Sequence, residues 1–362
     1  MTQVLARALV RSGHHVRVVG VYPSDYPAPD FEEDLGVLVW RLREKQVRGG
    51  WLLARYGLYR TVARWARRGE IDIVEGPDNN GWFAGWPQLP VPLVQRSHGS
   101  YSYFAHELGR EVNRTTFRLE RSSYKRVAAW AAVSRYTASV TEKLFGLRAG
   151  PVAILHNPVD IPREMPPFSE RSRNRVVYTG TLTAKKGVFS LIDAWPAVKG
   201  ECPSAELHVF GKDTRSEHGR SVQTEMMERI PYGLRDSVAF HGHVGLAELL
   251  EALSTARVGI FPSYSEAFAL APLESMGCGC PTISTKLSSG PEEIRPEIDG
   301  LLVDPGRPAE ISKAIVRVLQ DDSLAEQLGI AGRARVASTF TVPALLPTNE
   351  SFYSRVVRDF SR

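Results

Sequence analysis

The sequence predicts an α/β protein made of two doubly wound domains. The chain has 362 residues, more than one typical domain needs. Short apolar runs alternate with segments of helical composition, most regularly in the second half, where strands are predicted at residues 176–178, 207–210, 238–242 and 258–261. A hydrophobic content of 43% and a charged content of 23% are typical of globular proteins.

The first half follows the same alternation but departs from it at the start. Residues 1–13 have helical composition and end at a glycine, and residues 16–21 form the next predicted strand. A doubly wound domain normally opens with a central strand and a glycine-rich turn before such a helix. We therefore expect that the true start lies upstream or that the gene is truncated. Further strands are predicted at residues 71–75, 92–95 and 128–134.

We divide the chain into three segments. Residues 1–165 form the first domain and residues 166–340 the second, and residues 341–362 are predicted to form a helix that returns to the first domain. The linker is placed within residues 161–175, because this stretch is rich in Pro, Arg and Ser and has no periodicity.

Residues 258–285 carry the strongest functional signal. The strand at 258–261 ends in a polar loop with Glu266, and helical composition begins at Ala271. Glu274 is predicted to lie in the first helical turn, where a carboxylate meets the positive end of the helix dipole. The backbone N–H groups of residues 268–270 are expected to be free. Carboxylates that accept from sugar hydroxyls and amides that bind phosphate suit an anionic, polyhydroxylated ligand.

Each glutamate also has a purely structural interpretation, Glu274 as a capping carboxylate and Glu266 as a solvated loop residue. However, the stretch as a whole resembles the E-x7-E signature of family 4, the retaining glycosyltransferases of the GT-B fold. The matching residues are Pro262, Ser263, Glu266, Phe268, Glu274, Gly279 and Pro281.

A second segment, residues 180–187, resembles the family's G-R-L-x-x-x-K-G motif. Gly180 and Lys186 match, and Thr181 replaces the arginine, so one phosphate-neutralising charge is missing. The resemblance implies that Lys186 grips the donor diphosphate; alone, it would be an ordinary surface lysine. His98 stands where the family has a histidine on the cleft floor, although a single histidine is more often structural.

The resemblance implies two Rossmann-like domains that face each other across a cleft, with the donor on the second. It implies a retaining, hexosyltransferase-type enzyme that takes a nucleotide-diphosphate sugar as co-substrate, without a cofactor or a metal, and a glycan or lipid-linked acceptor. Glu266 would bind the donor sugar and Glu274 the ribose. The implied catalytic residues are Glu266, Lys186 and His98, and the implied donor-binding residues are Gly180, Thr181, Lys186, Glu266, Phe268, Ala269, Leu270 and Glu274.

The net charge of the whole chain is +5, and its positive charge is concentrated in the first half. Residues 41–70 interleave arginines with aromatic and aliphatic side chains, which is typical of helices that lie on anionic membrane surfaces. The alternative, which we favour, is a helix that packs its apolar stripe on the sheet and exposes its arginines. We find no nucleic-acid recognition motif.

Composition limits the remaining possibilities. Apolar runs are too short for a membrane span and the first residues lack signal-peptide features, so we expect a cytoplasmic protein, peripheral at the inner membrane face if residues 41–70 bind lipid. The three cysteines lack metal-ligand spacing and are predicted to be reduced. A nucleotide-sugar epimerase, a glycan phosphorylase and a non-catalytic sugar-binding protein of the same fold remain alternatives, the last because of Thr181 and the missing first strand.

Overall fold

The computed structural model describes residues 2–147, 150–151 and 153–361. The chain folds into two compact units. Unit 1 consists of Met1–Val133, Thr137–Pro158 and Val342–Arg362, and unit 2 consists of Ser134–Tyr136 and Val159–Thr341.

Unit 1 contains both strands and helices, which do not alternate strictly along the chain. Its strands are β1 (Arg17–Tyr22), β2 (Phe31–Asp34), β3 (Val37–Arg43), β4 (Val74–Pro77), β5 (Leu93–Ser97), β6 (Ala129–Ala132) and β7 (Ala153–Ile154). The helices among these strands are α1 (Thr2–Arg11), α2 (Gly50–Arg67), α3 (Tyr101–Glu107), α4 (Arg114–Tyr124) and α5 (Arg135–Phe145).

The strands of unit 1 form two sheets. In the three-stranded sheet, β3 lies between β1, its parallel partner, and β2, its antiparallel partner. The other sheet is parallel, with the order β4-β5-β6-β7. Strands β5 and β6 of the second sheet are buried along their whole length, whereas β1 and β3 of the first are mostly half-buried.

Unit 2 is a complete doubly wound domain. Its strands are β8 (Arg175–Thr179), β9 (Glu206–Phe210), β10 (Val238–Gly242), β11 (Val258–Phe261), β12 (Thr282–Thr285) and β13 (Leu301–Val303). Its helices are α6 (Val188–Glu201), α7 (Val222–Arg229), α8 (Leu246–Thr255), α9 (Leu270–Gly277), α10 (Gly290–Glu293), α11 (Pro308–Gln320) and α12 (Asp322–Thr339). The last helix of the chain, α13 (Val342–Phe360), belongs to unit 1.

The parallel sheet of unit 2 has the order β10-β9-β8-β11-β12-β13. Strands β8, β11 and β12 are buried along nearly their whole length, as expected for strands that helices cover on both faces. Trp195 and Leu191 of α6 and Ile260 and Ile283 of the sheet belong to one buried core. The strand order reverses between β8 and β11, and open α/β sheets bind ligands at the carboxyl ends of strands at such a point.

Helix α13 is held to unit 1 by apolar packing and by one buried cation. Phe352 and Val356 pack in a cluster with residues of β5 and β6. The Arg96 guanidinium, 1% exposed, donates to the Asn349 side-chain oxygen at 2.7 Å and to the Tyr353 hydroxyl at 2.9 Å. Because an unpaired buried charge is costly, these bonds fix where the last helix docks.

The structure confirms the predicted α/β class, and the strands predicted for unit 2 agree within two residues. In unit 1, the strand predicted at 71–75 is displaced to Val74–Pro77, because Val74 and not Ile71 begins the pairing with β5. The segment 41–70 is not one helix. Its first residues complete β3, whose backbone pairs with β1 and β2, and α2 begins only at Gly50.

Candidate functional site

The candidate site lies where β8 and β11 end, at the reversal of strand order in unit 2. The segment 180–187 follows β8, and the segment 262–269 follows β11. Since neighbouring parallel strands end at the same edge of a sheet, the two segments are adjacent. The Tyr264 N–H donates to the Lys185 carbonyl at 2.8 Å and joins them directly.

Gly187 makes this close approach possible, and Gly211 allows the segment after β9 to lie against Gly180. Gly187 has φ 71°, and a Cβ atom there would lie 1.8 Å from the Pro262 carbonyl oxygen. Gly211, with φ 158°, would place a Cβ 1.8 Å from the Gly180 carbonyl oxygen. Side chains at these positions would push the segments apart, so only glycine allows the loops to meet.

The structure brings Lys186 and Glu266 together. The Lys186 Nζ donates to Glu266 Oε1 at 2.5 Å, and the Glu266 side chain is only 9% exposed while that of Lys186 is 28% exposed. A largely buried carboxylate is stable here because the ammonium group neutralises it. Lys186 has three N–H donors, so it can bind a second anion while it keeps Glu266.

Tyr264 ties the site to the rest of unit 2. Its hydroxyl lies 2.9 Å from Ser190 Oγ of α6 and donates to the Pro305 carbonyl at 3.0 Å. Sequence analysis did not single out this tyrosine. Its position, two residues before Glu266 in a loop at a strand end, was the available signal.

Helix α9 begins earlier than predicted. It starts at Leu270 and has no acidic residue in its first turn, so Glu274 lies in the second turn. The sequence suggested a start at Ala271 and Pro272, where proline tolerates the lack of an N–H donor. The prediction is wrong because a distant carboxylate, that of Glu293, accepts the N–H of the residue before α9 and allows the helix to begin there.

Glu274 is half-buried, and burial raises the pKa of its carboxyl group. Among the described residues its carboxylate has no hydrogen-bond or ion-pair partner. A half-buried carboxylate without a partner is suited to accept hydrogen bonds from the hydroxyl groups of a ligand.

The expectation that the backbone N–H of Ala269 is free is also wrong. This N–H donates to Glu293 Oε1 at 2.8 Å. The Glu266 N–H donates to Ser288 Oγ at 3.1 Å. Both acceptors come from the segment after β12, the strand next to β11. Sequence analysis missed these residues, although their position at the end of a neighbouring strand could have indicated them.

Two other residues predicted to bind the donor sugar nucleotide, Gly180 and Thr181, lie in the segment after β8. The φ angle of Gly180 is 148°. The Gly180 N–H donates to the Phe210 carbonyl at 2.9 Å, and the Thr181 side chain is exposed. Phe268 is buried, and its ring lies 5.7 Å from that of Phe340. Leu270 opens α9.

His98 belongs to unit 1, at the carboxyl end of β5. Burial and the charge of Arg96 lower the pKa of His98 to about 3, so its ring is neutral at physiological pH. The His98 N–H donates to Asp78 Oδ1 at 3.1 Å, and burial raises the pKa of Asp78 to about 7. Sequence analysis did not identify Asp78.

A second buried acid supports the same end of unit 1. The Glu120 carboxylate, 0% exposed, accepts N–H groups of Asn80 at 3.3 Å, Tyr101 at 3.2 Å and Ser102 at 3.1 Å. Glu120 and Asp78 thus hold the loops after β4 and β5 through their backbones, which fixes the position of His98.

The described residues offer neither a metal centre nor a membrane-spanning helix. No group of three or more His, Cys, Asp or Glu side chains among them is arranged to hold a metal ion. No described helix combines the length and the apolar character that crossing a bilayer requires. All three cysteines are free thiols.

Solved structures share this architecture. Sucrose-phosphate synthase from Thermosynechococcus elongatus superposes with a TM-score of 0.80 at 22% identity, over 98% of this chain and 92% of that one. HepE of Anabaena, solved in complex with UDP and glucose, gives a TM-score of 0.66 at 17% identity, over 88% and 87% of the two chains. The fold is therefore GT-B, with two Rossmann-like domains.

Sequence comparison gives the family. The model described as "Glycosyltransferase Family 4" matches residues 1–163, and that described as "Glycosyl transferases group 1" matches residues 173–321. The chain belongs to this family of glycosyltransferases. It is 25% identical to a glycogen synthase of Mycobacterium tuberculosis, over 93% of this chain and 85% of that protein. It is also 25% identical to a GDP-mannose-dependent monoacylated alpha-(1-6)-phosphatidylinositol monomannoside mannosyltransferase of Corynebacterium glutamicum, over 77% and 75%.

Proposed function

We propose that the protein transfers a sugar from a nucleotide-diphosphate sugar to a glycan or lipid-linked acceptor with retention of anomeric configuration. The observation that carries this proposal is the Lys186–Glu266 ion pair at the reversal of strand order in unit 2. A cation for a diphosphate and a carboxylate for sugar hydroxyls lie there side by side, in a segment whose glycines allow close backbone approach.

The proposed roles follow from the chemistry of each group. Lys186 neutralises the charge that grows on the diphosphate as it leaves, in place of a metal ion. Glu266 orients the donor sugar, and Glu274, whose carboxylate has no described partner, accepts from the ribose hydroxyls. Gly180, Thr181, Phe268 and Leu270 line the donor in this proposal, whereas the Ala269 N–H is already bound to Glu293.

In the proposed front-side route, the bond between the anomeric carbon and the diphosphate oxygen breaks through an oxocarbenium-like state. The acceptor oxygen bonds to the same face of that carbon, and its proton passes to the leaving phosphate oxygen. His98 is assigned to contact the donor sugar or the acceptor hydroxyl. Because its ring is neutral, it can offer either a donor or an acceptor nitrogen.

The acceptor class rests on the relatives, since one is named a glycogen synthase and another a phosphatidylinositol monomannoside mannosyltransferase. The test is nucleotide release from a panel of nucleotide sugars, with and without glycan and lipid-linked acceptors. We expect the nucleotide to be released only when an acceptor is present. The coupling constant of the anomeric proton in the product should match that in the donor sugar. Conversion of the donor without acceptor would indicate an epimerase, and tight donor binding without release would indicate a binding protein.

We further propose that α2 and the residues before it contact an anionic membrane surface. The last turns of α2 pack inward, with Val62, Trp65 and their neighbours buried. The residues before these turns, 47–56, instead expose about half of each large apolar side chain. These are Val47 (57% exposed), Trp51 (49%), Leu52 (55%), Leu53 (50%) and Tyr56 (58%).

The charge of the surrounding residues supports an anionic lipid surface as the partner of this apolar stretch. Residues 45–69 contain no Asp or Glu, and most of their cations are exposed. The exposed cations are Lys45, Arg48, Arg60, Arg64, Arg67 and Arg68. Aromatic and aliphatic side chains bordered by arginines suit the boundary between acyl chains and anionic headgroups. Such contact would bring a lipid-linked acceptor to unit 1.

A further inference from the structure

Glu293 is a fully buried carboxyl group outside the residues that the sequence motifs indicate. It ends the short helix α10, and its side chain is 0% exposed. Its Oε1 accepts from the Ala269 N–H at 2.8 Å and from Ser289 Oγ at 2.7 Å. Its Oε2 is buried and has no hydrogen-bond partner among the described residues. A buried group that is only half-satisfied is costly to keep and calls for a physical role.

The bonds of Glu293 fall on the loop that carries Glu266. Ala269 is the residue immediately before α9, so Glu293 fixes the first turn of that helix from a distant part of the chain. Ser288, five residues before Glu293, accepts the N–H of Glu266 itself. Both ends of the segment 266–269 are therefore held by the segment after β12.

We propose that Glu293 is a positioning residue for the donor site, which holds the segment 266–269 in the shape that presents Glu266 to Lys186 and to the donor. This inference rests on the function proposed above. Glu293 acts through the backbone of Ala269 and does not itself touch the donor.

The protonation state of Glu293 matters for this role. The pKa of Glu293 is raised to about 8, chiefly by burial, while the bonds from Ala269 and Ser289 oppose the rise and the charges of Glu266 and Glu292 contribute to it. Arg335 contacts Glu293 through the backbone, since its Nε donates to the Glu293 carbonyl at 2.7 Å, and Lys186 pairs with the Glu266 carboxylate.

Glu293 is thus a neutral acid at pH 7 and becomes an anion above about pH 8. Ionisation places a second negative charge beside Glu266, beneath a site that binds an anionic diphosphate. Binding of an anion favours the protonated form, so donor affinity falls as the pH rises through this value.

The test compares Glu293→Gln, which keeps the acceptor oxygen but does not ionise, with Glu293→Ala, which loses it. Calorimetry from pH 6.5 to 9.5 uses UDP, or GDP if the wild-type protein binds GDP more tightly. We expect the Gln variant to bind the nucleotide as tightly as the wild type does at pH 7. Unlike the wild type, it should not lose affinity as the pH rises. The Ala variant should bind about tenfold more weakly at every pH, the scale of one buried hydrogen bond.

Glu297→Gln is the matched control, because Glu297 is exposed and pairs with Arg317 at 2.8 Å outside the site. Its nucleotide affinity should equal that of the wild type at every pH. An alkaline loss in the Gln variant equal to that of the wild type would overturn the inference, as would wild-type affinity in the Ala variant.

A second measurement separates this inference from the proposed function. Amide hydrogen exchange of the segment 264–273 in the ligand-free proteins should be faster in Glu293→Ala than in the wild type and unchanged in Glu293→Gln at pH 7. If the wild type binds no nucleotide, the proposed function fails while exchange still tests the role of Glu293. Equal exchange in the Ala variant and the wild type would refute that role.

Discussion

At the scale of single residues, the site depends on an ion pair that combines binding with stability. Lys186 and Glu266 neutralise each other at 2.5 Å in a partly buried setting. Removing either partner leaves the other charge poorly solvated, which costs folding free energy as well as donor affinity. Activity and stability must therefore be measured together for these variants.

Replacing Lys186 by Ala should lower kcat/KM for transfer by about 10²-fold or more, the usual effect of losing one group that stabilises transition-state charge. Glu266→Ala should cause a loss of similar size. Steady-state transfer assays, with the melting temperature of each variant, measure both effects. Lys313→Ala, at an exposed position of α11, is the control and should behave as wild type. A Lys186→Ala enzyme with normal turnover would remove this lysine from the mechanism.

Asp78 gives unit 1 a pH dependence that can be measured without a substrate. Burial raises the pKa of Asp78 to about 7, and Glu120 adds to the rise, whereas the pKa of an aspartate in an unfolded chain is about 4. The folded protein therefore binds this proton more tightly than the unfolded chain does. As a result, the free energy of unfolding falls as the pH rises from about 4 to 7.

Asp78→Asn keeps the oxygen that accepts from the His98 N–H but does not ionise. We expect this variant to show a weaker fall in stability over that pH window and to be more stable than the wild type at pH 8. Urea unfolding at pH 5 and pH 8 measures the difference. Asp72→Asn, at an exposed position, should leave the wild-type slope unchanged; an identical slope in Asp78→Asn would show that Asp78 ionises normally.

At the scale of elements, α2 has two parts with opposite surroundings. Its last turns pack their apolar side chains into unit 1, as the interpretation favoured from sequence requires. Its first turns expose theirs, which that interpretation does not account for.

The membrane proposal predicts that the protein sediments with vesicles of phosphatidylglycerol and not with vesicles of phosphatidylcholine. Trp51→Ser combined with Leu53→Ser should weaken this binding, and Arg60→Glu combined with Arg64→Glu should weaken it by at least about tenfold, since each cation near the surface contributes about 1 kcal/mol. High salt should mimic the charge reversal. Ile330→Ser is the control, because Ile330 is even more exposed, at 67%, but lies on α12. Equal binding by all variants would exclude this surface.

Helix α9 illustrates how elements acquire their boundaries from distant residues. Local sequence placed its start at Ala271, but the Glu293 carboxylate supplies an acceptor for the N–H of Ala269. Propensity is a weak prior at helix ends, where one hydrogen bond from another element decides the boundary.

At the scale of the whole molecule, the two units are expected to respond differently to the donor. Adding a nucleoside diphosphate without acceptor should slow hydrogen exchange in the segments 180–187 and 262–269, because a ligand that binds only the folded site suppresses local opening. Residues 50–67 of α2 should be unaffected. Peptide-level exchange with mass spectrometry measures this. Protection centred on α2 instead would place the nucleotide in unit 1.

The sequence by itself determined the fold class, the alternation of strands and helices in unit 2 and the pairing of Glu266 with Lys186 as members of one site. These features are encoded locally, in apolar runs, in glycines at strand ends and in short motifs that parallel strands bring to one edge of a sheet. The displaced β4 and the extension of β3 into the segment 41–70 were not predictable in this way, because strand ends depend on the partners available.

Only the tertiary structure decided which residues support the site. Glu293 and Ser288 hold the loop of Glu266 from the segment after β12, and Tyr264 joins that loop to the segment after β8. Each of these bonds joins residues more than twenty positions apart. The tertiary structure also decided that the Ala269 N–H is occupied and that the first turns of α2 are exposed. Such contacts depend on how the chain packs in three dimensions, which no local pattern of residues records.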